Sequence, residues 1–119
     1  MTRQELIDYC LTFPFAYEDY PFENNPGGGV WTLMRHKANK KSFALIYERL
    51  GKLCINLKCD PFEADILRQM YVDVTAGWHM NKTHWNTITL GGDVLIAEMK
   101  RMVESSYDLI KPRIRNKRI

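Results

Sequence analysis

Three β-rich runs at residues 30–35, 42–48 and 52–58, parted only by a polar connection at 36–41 and by Arg49-Leu50-Gly51, constrain this chain more than anything else in it. Connections this short, one of them with a glycine available for positive φ, join antiparallel neighbours, so the runs read as a meander with two tight turns. Helix signals flank it. Thr2 and Glu5 have capping-box spacing, and Leu6, Ile7, Cys10, Leu11 and Phe13 give the first helix an apolar stripe that Pro14 ends. Residues 17–22 form an extended, aromatic and acidic lead-in, and residues 24–29 a glycine-rich loop. Asp60-Pro61-Phe62-Glu63 combines an N-cap, a proline at N1 and a glutamate at N3, which starts a second helix carried by Ala64, Ile66, Leu67 and Met70.

Runs at 72–78 and 85–90 predict two further strands. Gly91-Gly92-Asp93 then turns and caps a last helix, in which Leu95, Ile96, Met99, Met102, Val103, Tyr107 and Ile110 recur at helical spacing. The order α-β(3)-α-β(2)-α predicts a two-layer α+β domain, a mainly antiparallel sheet with its helices on one face. It spans residues 1–110, and residues 111–119 form a basic tail.

A chain of 119 residues is one ordinary domain, and 45% hydrophobic with 26% charged residues matches neither disorder nor a membrane span. Cys10, Cys54 and Cys59 are an odd number of cysteines with no export signal before them, which predicts reduced thiols in a cytoplasmic protein and no disulfide. The net charge of +3 is uneven: Lys111, Arg113, Arg115, Lys117 and Arg118 carry five positive charges in the tail, so the body sums to −2. Within the body, Arg35, Lys37, Lys40 and Lys41 form a basic knot at the first hairpin.

The densest polar chemistry lies at residues 79–88, with two imidazoles, an ammonium, two amides, two hydroxyls and an indole in ten positions. Its Trp85 and Met80 are costly to leave in water, so the segment should lie half-buried with its polar heads outward.

Several blocks, in this order, resemble the MmcQ/YjbR family of small bacterial proteins. They are Tyr20-Pro21-Phe22, Leu57-Lys58-Cys59-Asp60-Pro61 leading to Ala64 and Leu67-Arg68, His79-Met80-Asn81-Lys82 with His84-Trp85-Asn86, and Ser106-Tyr107-Asp108-Leu109. The resemblance implies an α+β fold related to frataxin-like and secretion chaperone-like domains, and a DNA-binding role with a double-wing arrangement. The glycine-rich loop and the basic tail depart from the family pattern.

With that role, the residues expected to meet nucleic acid are Arg35, Lys37, Lys40 and Lys41 of the hairpin, Asn81, Lys82, His84 and Trp85 of the polar segment, and Arg113 and Arg115 of the tail. A hairpin tip sets cations beside phosphates, and an aromatic can stack on an unpaired base. The plainer account of the hairpin is a charged tip that deters edge pairing, and of Trp85 a core side chain. For Asn81 and Asn86 the plainer account is turn closure. An enzyme is not expected: the cysteines read as core thiols and no glycine run has phosphate-loop form. Cys54, Cys59, His79 and His84 formally make a zinc set, but strand parity turns successive ligands to opposite faces, so no metal or cofactor is expected. The alternative function is a protein-interaction or chaperone-like adaptor that uses an exposed apolar patch. A monomer or weak dimer without membrane contact is expected in either case.

Overall fold

The computed structural model describes residues 1–22 and 29–113, so positions 23–28 of the loop and 114–119 of the tail, Arg115 among them, lie outside the described residues. Helix α1 (Arg3–Cys10) opens on the expected capping box, the Thr2 hydroxyl accepting from the Glu5 amide at 3.1 Å and the Glu5 carboxylate accepting from the Thr2 amide at 2.8 Å. Strands β1 (Ala16–Asp19), β2 (Thr32–His36), β3 (Ser42–Arg49) and β4 (Lys52–Lys58) follow, then α2 (Pro61–Met70), β5 (Val74–Ala76), β6 (Trp85–Thr89) and α3 (Ile96–Ile110). The sheet is antiparallel throughout, in the order β1-β2-β3-β4-β6-β5.

Three details depart from the sequence reading. Part of the lead-in is a true strand: β1 pairs along β2, and its Asp19 carboxylate accepts from Arg35 Nε at 2.8 Å. Charged residues suit it because it is the sheet edge. Strand β5 stops at Ala76 instead of reaching Trp78, because the Trp78 amide donates to the Thr87 hydroxyl and not to a neighbouring strand. Asp93 does not cap α3, whose N-terminal flank at Leu95 has no side-chain cap. Its carboxylate is taken by the amides of Val72 at 2.7 Å and Asp73 at 3.0 Å, while Asp73 accepts from the Asp93 amide at 2.9 Å. This reciprocal bracket ties the β6–α3 turn to the start of β5.

Registers set the two faces. Ile46, Ile55, Ile88 and Val74 lie side by side across β3, β4, β6 and β5, and they join the core with Leu6, Ile7 and Cys10 of α1, Met99, Val103 and Tyr107 of α3, and Leu67 of α2. All three helices therefore cover one face. Alternation sends Leu33, Leu45, Tyr47, Asn56 and Thr87 to the opposite face, yet all five are buried. Residues 77–84, the connection between β5 and β6, cover part of that second face, Trp78 over Asn56 and Thr87 and Met80 near Leu33 and Leu45, while Trp31 covers Tyr47.

Candidate nucleic-acid interface

Buried polar side chains hold this connection from below. Asn56 is fully buried; its carbonyl oxygen accepts from the hydroxyls of Tyr47 and Thr87, each at 2.7 Å, and its amide nitrogen donates to the Trp78 carbonyl at 2.9 Å. With the Thr87 hydroxyl accepting the Trp78 amide at 2.9 Å, both backbone groups of one residue are fixed by strands β4 and β6. Burial is the main reason the Tyr47 phenol is raised above its ordinary 10, so it stays a neutral donor.

A second clamp comes from α2. Arg68 donates through Nε to Asn86 Oδ1 at 2.6 Å and through Nη2 to the carbonyls of Trp85, at 3.1 Å, and Lys82. Asn86 completes the link by donating to the Ala64 carbonyl at 3.2 Å. The connection also closes on itself, Lys82 Nζ donating to the Gly77 carbonyl at 2.7 Å and Asn81 Oδ1 accepting the amides of Thr83 at 2.9 Å and His84 at 3.3 Å. Gly77 has no room for a side chain: a Cβ there would stand 2.7 Å from the Trp85 Cβ.

Two features of this face could meet a ligand. Toward the hairpin, Trp85 and Met80 line a groove of about 380 Å³ with Leu33, Leu45 and the lysines Lys41 and Lys58. Toward the other end, Trp31 stacks on Tyr47 with centroids 4.1 Å apart, Trp78 lies nearly parallel to Trp31, and the Arg49 guanidinium sits 4.5 Å over the Trp78 ring.

The hairpin itself is braced. Asn39 donates to the Ile110 carbonyl at 2.7 Å, which sets the tip beside the C-terminal end of α3, where Lys111 and Arg113 emerge. Arg35 is spent on this bracing, donating to Asp19 and, at 2.8 Å, to the Lys40 carbonyl. Lys40 itself holds a φ of +60°, a conformation costly for a residue with a Cβ and maintained here by the tip's own hydrogen bonds. Lys37, Lys40 and Lys41 are exposed.

Of the residues expected to meet nucleic acid, then, Lys41 and Trp85 share the groove, and Lys37, Lys40 and Arg113 lie at the same end of the molecule. Asn81 closes a turn, Lys82 reaches back to the backbone, and His84 is exposed, its carbonyl accepting the Cys59 amide at 2.8 Å. Lys58, Arg49, Trp31, Trp78 and Arg68 were not expected. For Trp31, Arg49 and Lys58 a signal was available, since strand parity sets 31 with 33, 45 with 47 and 49, and 56 with 58 on the face away from the aliphatic core, whereas Trp78 and Arg68 are placed by the distant Asn56 and Asn86.

Among the described residues no three His, Cys, Asp or Glu side chains gather as metal ligands would, and no helix is long and apolar enough to cross a membrane. All three cysteines are buried, and burial pushes the Cys10 thiol up to about 12 and the Cys59 thiol up to about 11. Between α2 and α3 lies a separate cleft of about 310 Å³, floored by Leu57 and Ile88 and walled by Ile66, Leu67 and Met102. Lys58 stands at the mouth of both the cleft and the groove.

The family model YjbR matches residues 11–109 of the chain. The chain is 31% identical over 107 residues to the "Uncharacterized protein YjbR" of Escherichia coli K12, covering 90% of this chain and 85% of that protein. It is 31% identical over 121 residues to the "Uncharacterized protein YyaQ" of Bacillus subtilis, covering 93% and 99%. The crystal structure of a Pseudomonas syringae protein superposes with a TM-score of 0.79 at 30% identity, covering 93% of this chain and 100% of that one. A crystallised Deinococcus radiodurans protein superposes with a TM-score of 0.77 at 28% identity, covering 92% and 78%.

Proposed function

The chain belongs to the YjbR family, and from that premise and the groove on its open sheet face we propose that it binds nucleic acid, DNA being the class the resemblance implies. The observation that carries this reading is the groove's lining, in which Lys41 and Lys58 flank a half-buried indole. Exposed Lys37 and Lys40, together with Arg113, extend the same positive end. Ammonium groups that neutralise phosphates release their counterions, which is the main source of affinity for a polyanion. The reading assigns no reaction. Its support is that the Cys10 and Cys59 thiols stay protonated at neutral pH and so are poor nucleophiles.

The test is binding of a labelled duplex and a labelled single strand by anisotropy over a range of salt. With about four phosphate contacts, log K should fall against log salt with a slope near −3.6 on duplex DNA. Reversing Lys41 and Lys58 to glutamate should make the slope shallower by nearly two and weaken unrelated sequences equally, since phosphate contacts carry no base information. Binding unaffected by that double reversal would count against the groove.

One observation favours a second reading, a protein-interaction module. The cleft between α2 and α3 is largely apolar, and Phe62, Ile66 and Met70 of α2 are exposed beside it. Failure to bind either oligonucleotide at low salt would move this reading ahead.

A further inference from the structure

We propose that the ring cluster of Trp31, Trp78 and His79 is a base-stacking site, and that the ligand crossing this face is therefore a single strand rather than a duplex. The inference rests on the nucleic-acid reading above and adds to it which part of the ligand is held and in what form. Trp31 lies over Tyr47 at an interplanar angle of 16°, Trp78 lies 14° from parallel to Trp31 with centroids 5.8 Å apart, and His79 packs on Trp78 at 4.0 Å. Tyr47 is buried at the base, both indoles are half-exposed, and His79 and Arg49 are open to solvent. The two indoles are nearly parallel to each other, His79 is tilted 44° from Trp78, and the Arg49 guanidinium lies 4.5 Å over the Trp78 ring, so the outer surface combines half-exposed indoles with a cation, the composition on which unpaired bases stack.

Packing alone does not account for the arrangement. The main apolar core lies on the other face of the sheet, whereas Trp31 and Trp78 pack on Tyr47, whose hydroxyl donates to Asn56, and the Asn56–Thr87 pair holds both backbone groups of Trp78. His79 follows with a φ of +61°, a strained conformation for a residue with a Cβ, and this turns its ring back onto Trp78. The cluster is also placed to continue the groove. Leu45 lines the groove and Tyr47, two residues along the same strand and on the same face, carries the stack, a step of about 7 Å. Phosphates at Lys41 and Lys58 would therefore lead a strand directly toward the rings. A duplex offers only base edges to its grooves, so it could use the lysines but not the rings.

Trp31→Leu and Trp78→Leu, which keep an apolar side chain but remove the π face, test this in the full chain. The probes are a labelled oligothymidylate of about twenty nucleotides and a mixed-sequence duplex of equal length. Each variant should bind the single strand about tenfold more weakly and the duplex as the wild type does, and Trp31→Phe should recover most of the loss. Quenching of the intrinsic tryptophan fluorescence by the single strand should shrink in the same variants. Melting curves recorded beside the titrations show whether each variant is folded, and if Trp78→Leu is not, the Trp31 pair decides. Variants that melt normally and bind the single strand as the wild type does, or that lose duplex and single strand equally, overturn the inference while leaving the nucleic-acid reading standing. A wild type that binds neither probe sinks both.

Discussion

Replacing Arg68 with alanine should destabilise the fold by about 3 kcal/mol, a large effect for a side chain on the flank of a surface helix. The magnitude comes from what would be left unpaired. Asn86 is buried, and its amide nitrogen is already committed to the Ala64 carbonyl, so rotating the amide cannot rescue its oxygen once Arg68 Nε is gone. A hydrogen bond from a charged donor to a buried acceptor is worth about 1.5–3 kcal/mol, and the lost partner is felt as desolvation of the acceptor left behind. The carbonyls of Lys82 and Trp85, which Arg68 Nη2 also serves, lie nearer the surface and can turn to water, so they add at most about 1 kcal/mol.

Equilibrium urea unfolding reads this directly. With an m value of about 2 kcal/mol/M, the midpoint should fall by about 1.5 M with the slope unchanged. Arg68→Lys should recover little, because one ammonium cannot span the points that the guanidinium fork reaches. A double-mutant cycle with Asn86→Ala isolates the pair and should return a coupling of about 2 kcal/mol. A midpoint shift below about 0.3 M, or a coupling indistinguishable from zero, would refute the claim that this clamp holds the 77–84 connection on the sheet.

Asp60→Ala should lower stability by about 1 kcal/mol in a thermal melt, since its carboxylate accepts the amides of Phe62 at 3.2 Å and Glu63 at 3.3 Å at the start of α2. Gly77→Ala should cost about 1–3 kcal/mol by urea unfolding, because the new methyl would meet Trp85, whose backbone is fixed. For Asp93, desolvation raises the carboxyl but the amides of Val72 and Asp73 outweigh it, holding it below its ordinary 3.8. A depressed carboxyl contributes stability that is complete above 3.8 and lost as pH falls through the lower folded value, so Asp93→Asn should flatten part of the acid limb of Tm below about pH 4. The Glu5 carboxylate, also lowered, chiefly by the Thr2 amide, should account for part of what remains.

Most of the architecture was legible because its signals are local. The capping box at Thr2 and Glu5, the proline after Asp60, and the short turns of the meander each act over a few residues, and the structure uses them where they stand. The sequence reading failed where a distant partner outbid a local rule. Asp93 has the look of a helix cap, but the amides at the start of β5, 20 and 21 residues away, take its carboxylate. Residues 16–19 are too charged for an interior strand, and only the edge of β2 makes them one. The site was legible as a segment and not as a geometry. Trp85 and Lys41 could be named from composition, but Lys58 joins them only through pairing with Trp85 across β4 and β6, and Trp78 takes its place only because Asn56, 22 residues earlier, reaches its carbonyl.

The way the second face is covered separates shape from mere stability. An antiparallel sheet with helices on one side can leave its other side polar and wet, and stability alone does not require a cover. Here the cover is fixed by buried polar groups: Asn56, Thr87 and Asn86 are all buried, and among the described residues no buried side-chain nitrogen or oxygen lacks a partner. Apolar residues of similar volume could seal the same face with no desolvation penalty, so a fully satisfied polar network gives chiefly a unique placement. What it places is specific: the Trp78 backbone through Asn56 and Thr87, and the Trp85 carbonyl through Arg68. Those two indoles mark the stack and the groove, the two parts of the face on which the proposed ligand would rest.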